Sequence, residues 1–306
     1  SRSFFGQREP IVSILLNNDG RFSGEASQPQ KVSLVGFAIL GAGKLRSESV
    51  PYIEEIYASS SAHELGHAFG GLRDEYTGGA VMKAGQSETS FDGFFPNVTT
   101  ETRRDRVRWK HWISPDVPIP TPAAEAYANR VGLFEGANVF ANGWYRPQFK
   151  CTMGSYRPDV EPRPPFCAVC CEALVLAIYE YVNPLADVTT DVGEHTTTFT
   201  INNLPQPTDH SLKIEWSVDG VVVPLANNAT VFSVTDTDIG YGAHTVGVRV
   251  ADETEFVRSD PEGLLRRTLE WNVSSYPQPD FDGNGTVGFD DFFLFADAFG
   301  EPVTDD

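Results

Sequence analysis

The chain has 306 residues, and its 41% hydrophobic and 12% aromatic content is typical of a folded protein rather than of a disordered chain. This length allows more than one hydrophobic core, so we expect two domains with an appendage. The formal charge of −19 argues against nucleic acid or an anionic membrane as a partner. No apolar run approaches the length of a membrane span.

The amino-acid usage also bears on the location of the protein. The chain has 2 methionines and 23 lysines and arginines beside many Asp, Thr and Gly residues, which favours an extracellular bacterial protein, secreted or on the cell surface. It begins with neither an initiator methionine nor a signal peptide, so we expect a mature or excised fragment.

Residues 1–184 carry mixed strand and helix signals and are the first predicted domain. The β-branched runs IVSILLNN and VSLVGFAIL end in Asn-Asp-Gly and Gly-Ala-Gly, and they predict two strands. Helical spacing from Pro51 to Gly70 predicts a helix. RDRVRWKHWI predicts a second helix and PPFCAVCCEALVLAIYEYV a third.

The first of these helices carries the pattern HELGH. His63 and His67 are four residues apart, so on a helix both imidazoles lie on one face and can reach one point. Zn²⁺ accepts such nitrogens, and Glu64 stands beside the pair as a base for an attacking water. The alternative interpretation is a surface helix with two solvated histidines. The small, apolar stretch between the histidines favours a helix packed inside a domain, and therefore the metal site.

A third zinc ligand is expected just after this helix. Gly70 and Gly71 allow the chain to turn sharply, and one carboxylate at that point would leave a coordination position open, as a catalytic zinc requires. In the longer metzincin pattern HExxHxxGxxH the third ligand would fall on Arg73, which cannot bind zinc. We therefore predict Asp74 as the third ligand, with Glu75 as the alternative.

The four cysteines lie close together in the sequence, around the third helix, and describe one local feature. Their CxxC spacing is compatible with a zinc knuckle. Against this interpretation, the motif lies within a helix, has no accompanying histidine and belongs to a chain of secreted character. We predict instead a disulfide from Cys151 to Cys167 or Cys170, with Cys170 preferred and Cys171 left over. This bond would tie the turn at Met153 to the third helix.

Residues 185–275 are the second predicted domain. Alternating runs such as TTTFTINNL, SLKIEWSVDGVVV and HTVGVRVAD are separated by turn-rich pieces at short, regular intervals. This pattern predicts a small antiparallel β-sandwich of the immunoglobulin-like kind. Asp219 and Gly220 stand between two strand-like runs and predict a hairpin.

Residues 276–306 are predicted to be a linker and a short calcium-binding tail. The stretch DFDGNGTVGFDD fits a twelve-residue EF-hand loop, and its closing Asp, where an EF-hand usually has Glu, resembles dockerin loops. Dockerins pair two such loops and this sequence has one, so we predict a lone Ca²⁺ site that docks or stiffens the C-terminus. The predicted ligands are Asp280, Asp282, Asn284, Thr286 through its carbonyl, and Asp291.

The stretch AHELGHAFGGLRDEY resembles HExGHxxxxLxDEY, the signature of the bacterial metallopeptidases that are named for an IgA-cleaving endopeptidase. Later blocks, including GWYRPQFKCTM and PFCAVCCEALVLAIYEYVNP, are similar to those that follow the zinc helix in this family. The resemblance covers residues 11–184. Family members usually have more chain before the first strand, so we expect an N-terminal subdomain to be missing here.

The resemblance implies a metzincin-like zinc endopeptidase with His63 and His67 as ligands and Glu64 as the catalytic base. Three further residues occupy positions that match the family pattern: Asp74, Tyr76 and Met153. Met153 suits the methionine turn that a metzincin has beneath its metal, and either Tyr76 or Tyr145 is expected to bind the oxyanion.

The complete prediction is an α+β chain: a metzincin-like zinc peptidase domain, an all-β immunoglobulin-like sandwich and a short EF-hand or dockerin-like calcium loop. Its predicted function is that of a secreted endopeptidase with catalytic Zn²⁺, Ca²⁺ in the tail, and a protein or peptide substrate. We expect the substrate to pair with an exposed edge strand, for which VSLVGFAIL is the candidate. A cell-surface or dockerin-type docking partner is expected for the tail.

Two other functions fit parts of the sequence. The chain could be a non-catalytic surface adhesin or glycan-binding protein with a vestigial zinc site, but the intact Glu64 counts against decay. A zinc amidase or deacetylase of cell-wall material shares the metal chemistry, but the turn at Met153 does not support it.

Overall fold

A computed structural model describes residues 12–18, 24–27, 37–43, 61–78, 93–154, 164–240, 242–275, 281–282 and 287–298. Its helices and sheets are mixed, which confirms the α+β class. No helix in these ranges is long and apolar enough to cross a membrane. The chain divides into two compact units, Ser1–Val182 with Thr254–Leu265, and Asn183–Glu253 with Arg266–Asp306.

The first unit begins with a small mixed sheet of strand order β1-β3-β2. The strands are β1 (Val12–Asn18), β2 (Gly24–Ser27) and β3 (Phe37–Gly43). Strand β3 pairs in parallel with β1 and antiparallel with β2. The prediction that VSLVGFAIL offers a free edge is therefore wrong for its described part, because β3 has a neighbour on each side; residues 32–36 lie outside the described ranges.

The remaining elements of the first unit surround two clusters of buried hydrophobic residues. Helix α1 covers residues 61–68, and helix α2 covers Ala168–Tyr181, which agrees with the third predicted helix. Between them lie the antiparallel pair β4 (Phe134–Ala137) and β5 (Phe140–Arg146) and two short 3-10 helices, Lys110–Trp112 and Glu125–Tyr127. The predicted part of the first helix before residue 61 lies outside the described ranges.

The second predicted helix, RDRVRWKHWI, does not form. Residues 104–109 make turns, and only the 3-10 helix Lys110–Trp112 follows. Long-range contacts fix this irregular path: Arg104 donates to the Val117 carbonyl and Arg108 to the Val98 carbonyl. Val107 and Trp109 are buried in the core. Tertiary contacts therefore override the local helical pattern.

In the described part of the second unit, seven antiparallel strands form two sheets, with orders β10-β7-β6 and β12-β11-β8-β9. One core cluster contains side chains from both sheets, among them Phe199, Trp216 and Val248. The strands are β6 (Val188–Val192), β7 (Thr196–Ile201), β8 (Lys213–Val218), β9 (Val221–Val222), β10 (Val231–Thr235), β11 (Gly242–Ala251) and β12 (Arg266–Ser275).

The hairpin predicted at Asp219 and Gly220 is present. Strands β8 and β9 pair through Val218 and Val221, and the two turn residues have φ of 50° and 77°. A two-residue turn with positive φ at both positions matches the right-handed twist of the strands, and Asp-Gly accommodates it with little strain.

Two short helices complete the second unit. Helix α3 (Asp236–Ile239) follows β10 and begins with a capping box between Thr235 and Asp238. Helix α4 (Phe289–Ala298) lies in the C-terminal tail.

Candidate active site

Helix α1 and the turn after it place the predicted metal ligands. The helix ends at residue 68, and the Leu72 N–H returns to the Gly66 carbonyl at 3.1 Å. This hydrogen bond requires a residue in the left-handed backbone conformation, and Gly71 adopts it with a φ of 65°. The turn folds the following segment back towards the helix, so that Asp74 reaches the face that carries His63 and His67.

The three predicted zinc ligands form a small triangle. The Nε2 atoms of His63 and His67 are 3.1 Å apart, and Asp74 Oδ1 lies 3.2 Å from the first and 3.3 Å from the second. A tetrahedral Zn²⁺ with ligand bonds of about 2.0–2.1 Å holds its nitrogen and oxygen ligands about 3.3 Å apart. The three residues therefore fit one face of a zinc coordination sphere, and its fourth position would be open.

The outer nitrogen of each imidazole is held by a backbone carbonyl. His63 Nδ1 lies 2.9 Å from the Thr152 oxygen and His67 Nδ1 lies 2.8 Å from the Leu72 oxygen. A carbonyl only accepts, so each Nδ1 carries the proton and donates. The Nε2 lone pairs then point at the centre of the triangle, which is the tautomer that a metal requires.

The electrostatics of the triangle suit a cation. Burial favours a raised pKa of Asp74, but its hydrogen bonds with His63 and His67 prevail and hold that pKa well below its ordinary value. Burial lowers the pKa of His67, but the hydrogen bonds to Asp74 and to the Leu72 carbonyl, with the charges of Asp74 and Glu64, together outweigh burial and raise it. The carboxylate is therefore ionised at neutral pH.

Two further side chains beside the triangle could take part in proton transfer. Glu64 is buried, and its negative charge contributes to the raised pKa values of His67 and Tyr76. The Tyr76 ring stacks at 6.5 Å from the His63 ring. Burial, followed by the charge of Asp74, raises the pKa of Tyr76 to about 12, so its hydroxyl stays protonated. Tyr145, the other predicted candidate, packs against the core instead.

Met153 lies directly against α1, as the sequence predicts. Its side chain is fully buried, and a Cβ built on Gly66 would come within 2.8 Å of its sulfur. The Met153 carbonyl accepts the Glu75 N–H at 2.7 Å. The methionine thus supports both the helix and the segment that carries Asp74.

Residues 40–127 and 123–178 match a family model described as IgA Peptidase M64. The match contains α1, the Asp74 segment, Met153 and most of α2. This part of the chain, here called the M64 domain, is similar to the M64 family. The matched family is one of peptidases, which hydrolyse peptide bonds. A comparison with curated proteins finds no match.

Asn97 fixes the ligand-bearing segment of the M64 domain, and sequence reasoning did not single it out. It is fully buried. Its Oδ1 accepts the Arg73 N–H at 2.8 Å, and its Nδ2 donates to the Arg73 carbonyl at 2.8 Å and to Glu75 Oε1 at 2.9 Å. Its only sequence signal is its place in PNVTTETRRDRVRWKHWI, a stretch that resembles a block of the family.

The predicted alternative ligand, Glu75, points elsewhere. It follows Asp74 in an extended segment, so its side chain leaves on the opposite side. Glu75 is fully buried, and its Oε1 lies 3.0 Å from Cys170 Sγ. Asp74 is therefore the carboxylate that the structure brings to the two histidines.

The predicted disulfide between Cys151 and Cys170 is not present. All four cysteines are free, and these two sulfurs are 3.7 Å apart, whereas a disulfide needs about 2.05 Å. The other predicted partner, Cys167, is also reduced and buried. The three thiols nevertheless converge on Glu75 beneath the M64 site.

The predicted calcium loop is described only in part. Asp280, Asn284 and Thr286 lie outside the described residues. Asp291 is buried, and its carboxylate accepts the Asp282 N–H at 3.1 Å and the Gly288 N–H at 2.6 Å.

Proposed function

We propose that the protein is a secreted zinc endopeptidase. The observation that carries this proposal is the triangle of His63, His67 and Asp74, whose edges match one face of a tetrahedral zinc. Two neutral imidazoles and one carboxylate leave a position for substrate or water. Among protein metal sites, this combination with an adjacent Glu is characteristic of metallopeptidases.

The proposed mechanism assigns each side chain a task. When bound, zinc supplies Lewis acidity to the scissile carbonyl and acidifies the attacking water. Glu64 takes a proton from that water at its carboxylate and later returns it to the leaving amine. Tyr76, protonated at neutral pH, donates a hydrogen bond to the developing oxyanion.

The substrate is proposed to bind as an extended strand. Because β3 is enclosed by β1 and β2, an added strand would have to pair with the outer edge of β1 or β2. Backbone pairing of this kind recognises peptides of many sequences, so the natural substrate would be an accessible, extended segment of an extracellular protein.

Replacement of the base tests this function. Glu64→Gln keeps the size of the side chain but removes its basicity, so cleavage of casein or of IgA should fall by about 10²–10⁴-fold. The variant should retain its zinc. The exposed Glu125→Gln is the matched control and should cleave like wild type. Unchanged cleavage by Glu64→Gln, or a wild-type protein that cuts neither substrate while a glycan binds it, would contradict the proposal.

We also propose a metzincin-like fold for the peptidase domain and an immunoglobulin-like fold for the second domain. The methionine beneath α1 supports a metzincin-like peptidase, and seven antiparallel strands around a shared core support an immunoglobulin-like sandwich.

We also propose that the tail binds one Ca²⁺ through Asp280, Asp282, Asn284, Thr286 and Asp291, since their spacing is that of a calcium loop. The buried position of Asp291 supports it. Calcium titration by calorimetry should give one site in the wild type and none in Asp282→Ala.

A further inference from the structure

A second group of metal-ligand side chains is buried in the M64 domain, apart from the histidine triangle. It consists of Glu75, Cys151, Cys167 and Cys170, whose ligand atoms all lie within 4.8 Å of one another. None of the four is more than 3% exposed. The catalytic proposal makes no use of this group.

The distances within the group fit one tetrahedral ion. Zinc bonds of about 2.3 Å to sulfur place two thiolates about 3.8 Å apart, and bonds of about 2.0–2.2 Å to a carboxylate place oxygen and sulfur about 3.5 Å apart. The sulfurs of Cys151 and Cys170 are 3.7 Å apart. Glu75 Oε1 lies 3.0 Å from Cys170 Sγ and 3.9 Å from Cys167 Sγ.

The surroundings indicate that a cation belongs there. Glu75 Oε2 is fully buried and has no hydrogen-bond donor, a costly state for a carboxylate. The backbone N–H groups of Met153 and Cys167 point at the sulfur of Cys151 at 3.5 and 3.3 Å. Such N–H contacts stabilise a thiolate rather than a thiol. A disulfide would use two sulfurs and leave the third thiol and the carboxylate without a function.

We propose that Glu75, Cys151, Cys167 and Cys170 bind a second, structural zinc ion. Four protein ligands close the coordination sphere, as in structural rather than catalytic sites. The three thiolates and the carboxylate match the softness and charge that Zn²⁺ selects. This inference does not depend on the histidine site being catalytic.

The second zinc would join the three segments that build the histidine site. Glu75 follows Asp74, and Cys151 precedes Thr152, whose carbonyl orients His63. Cys167 occupies the N-cap position of α2. One ion would therefore hold the Asp74 segment, the methionine turn and α2 in fixed positions, which the predicted disulfide would have done less completely.

Metal content measured by mass spectrometry tests the proposal. The wild type, purified with a reductant and without chelator, should contain two zinc ions per chain. The variant His63→Ala/His67→Ala should retain one, and Cys167→Ser/Cys170→Ser should lose one. Cys171→Ser is the matched control, because this half-buried thiol contacts the Phe166 carbonyl instead of the cluster, and it should keep two.

Cobalt substitution covers the case in which the cysteine variant does not fold. The His63→Ala/His67→Ala protein loaded with Co²⁺ should show the intense near-ultraviolet absorption of sulfur-to-cobalt charge transfer, and chelation should lower its melting temperature. If this variant holds no metal, or if intact mass shows a protein two hydrogens lighter with a disulfide, the proposal is overturned. If the wild type and this variant each hold one metal ion, that ion is bound by the cysteine site, and the histidine site binds none.

Discussion

Gly66 has no room for a side chain, because the helix that carries the histidines rests on Met153 at this position. A Cβ would lie 2.8 Å from the Met153 sulfur and 3.2 Å from both Leu72 Cδ1 and Phe166 Cε1. Gly66→Ala should therefore lower the free energy of unfolding by about 1–3 kcal/mol. It should also reduce peptidase activity, since Met153 follows Thr152, which orients His63.

Gly93→Ala is the control for this prediction, because a Cβ there meets no atom within 4 Å. Its effect should stay within about 0.5 kcal/mol in chemical denaturation. Equal losses in the two variants would show that the contact with Met153 is not the cause.

Protons and zinc compete for His67. Only the neutral imidazole binds zinc. Burial lowers the pKa of His67, but the hydrogen bonds to Asp74 and Leu72 and the nearby carboxylate charges together raise it above its ordinary 6.5. Zinc at the histidine site should therefore be bound firmly at pH 8 and be released as the pH falls towards and through 6.5. Equilibrium dialysis against buffered zinc of the wild type beside His63→Ala/His67→Ala isolates this site by difference. Constant occupancy down to pH 5 would contradict the raised pKa.

At the residue scale, local spacing was enough to predict the histidine site. His63, Glu64, His67 and Asp74 fall within one helical turn and one glycine turn, and such short separations leave few possible geometries. The cysteine cluster could not be predicted in this way. Cys167 and Cys170 lie 92 and 95 residues from Glu75, and only the tertiary fold brings them together.

At the scale of elements, the conformation of the segment after α1, which carries Asp74, depends on Asn97. Asn97→Ala leaves the Arg73 N–H and carbonyl without partners, and each buried polar group left unpaired costs about 1–3 kcal/mol. The variant should unfold at a lower denaturant concentration and cleave more slowly, because Asp74 follows Arg73. The exposed Asn129→Ala is the control and should behave like wild type. Full activity of Asn97→Ala would show that the segment holds its shape unaided.

The elements also show why pattern reasoning fails where tertiary contacts dominate. RDRVRWKHWI has helical spacing, but the carbonyls that its arginines reach lie outside any helix, so turns prevail. Strand β2, GEAS, has no alternating apolar pattern and was not predicted. Its presence makes β3 a central strand, which no property of VSLVGFAIL itself could reveal. By contrast, α2 and the Asp219-Gly220 hairpin carry strong local signals and form as predicted.

At the scale of the whole molecule, Glu172 links α2 to residues 254–265, which belong to the first unit although they lie between β11 and β12 in the sequence. Its carboxylate accepts the Arg258 and Ser259 N–H groups at 2.7 and 3.0 Å. A fragment of residues 1–184 lacks both donors. Glu172→Ala should therefore cost about 1.5–3 kcal/mol more in residues 1–275 than in residues 1–184. Chemical denaturation of the wild type and of Glu172→Ala, each as residues 1–275 and 1–184, measures this difference in the free energy of unfolding. Equal costs in the two lengths would exclude the link.

The path of residues 252–265 has a thermodynamic consequence for the second unit. These residues close the β11–β12 hairpin, and most of them are ordered by the first unit. Once the first unit melts, these residues become a flexible loop. Closing this loop costs conformational entropy, which lowers the stability of the hairpin. Melting of the first unit should therefore lower the melting temperature of the two sheets in the second unit, through chain connectivity alone.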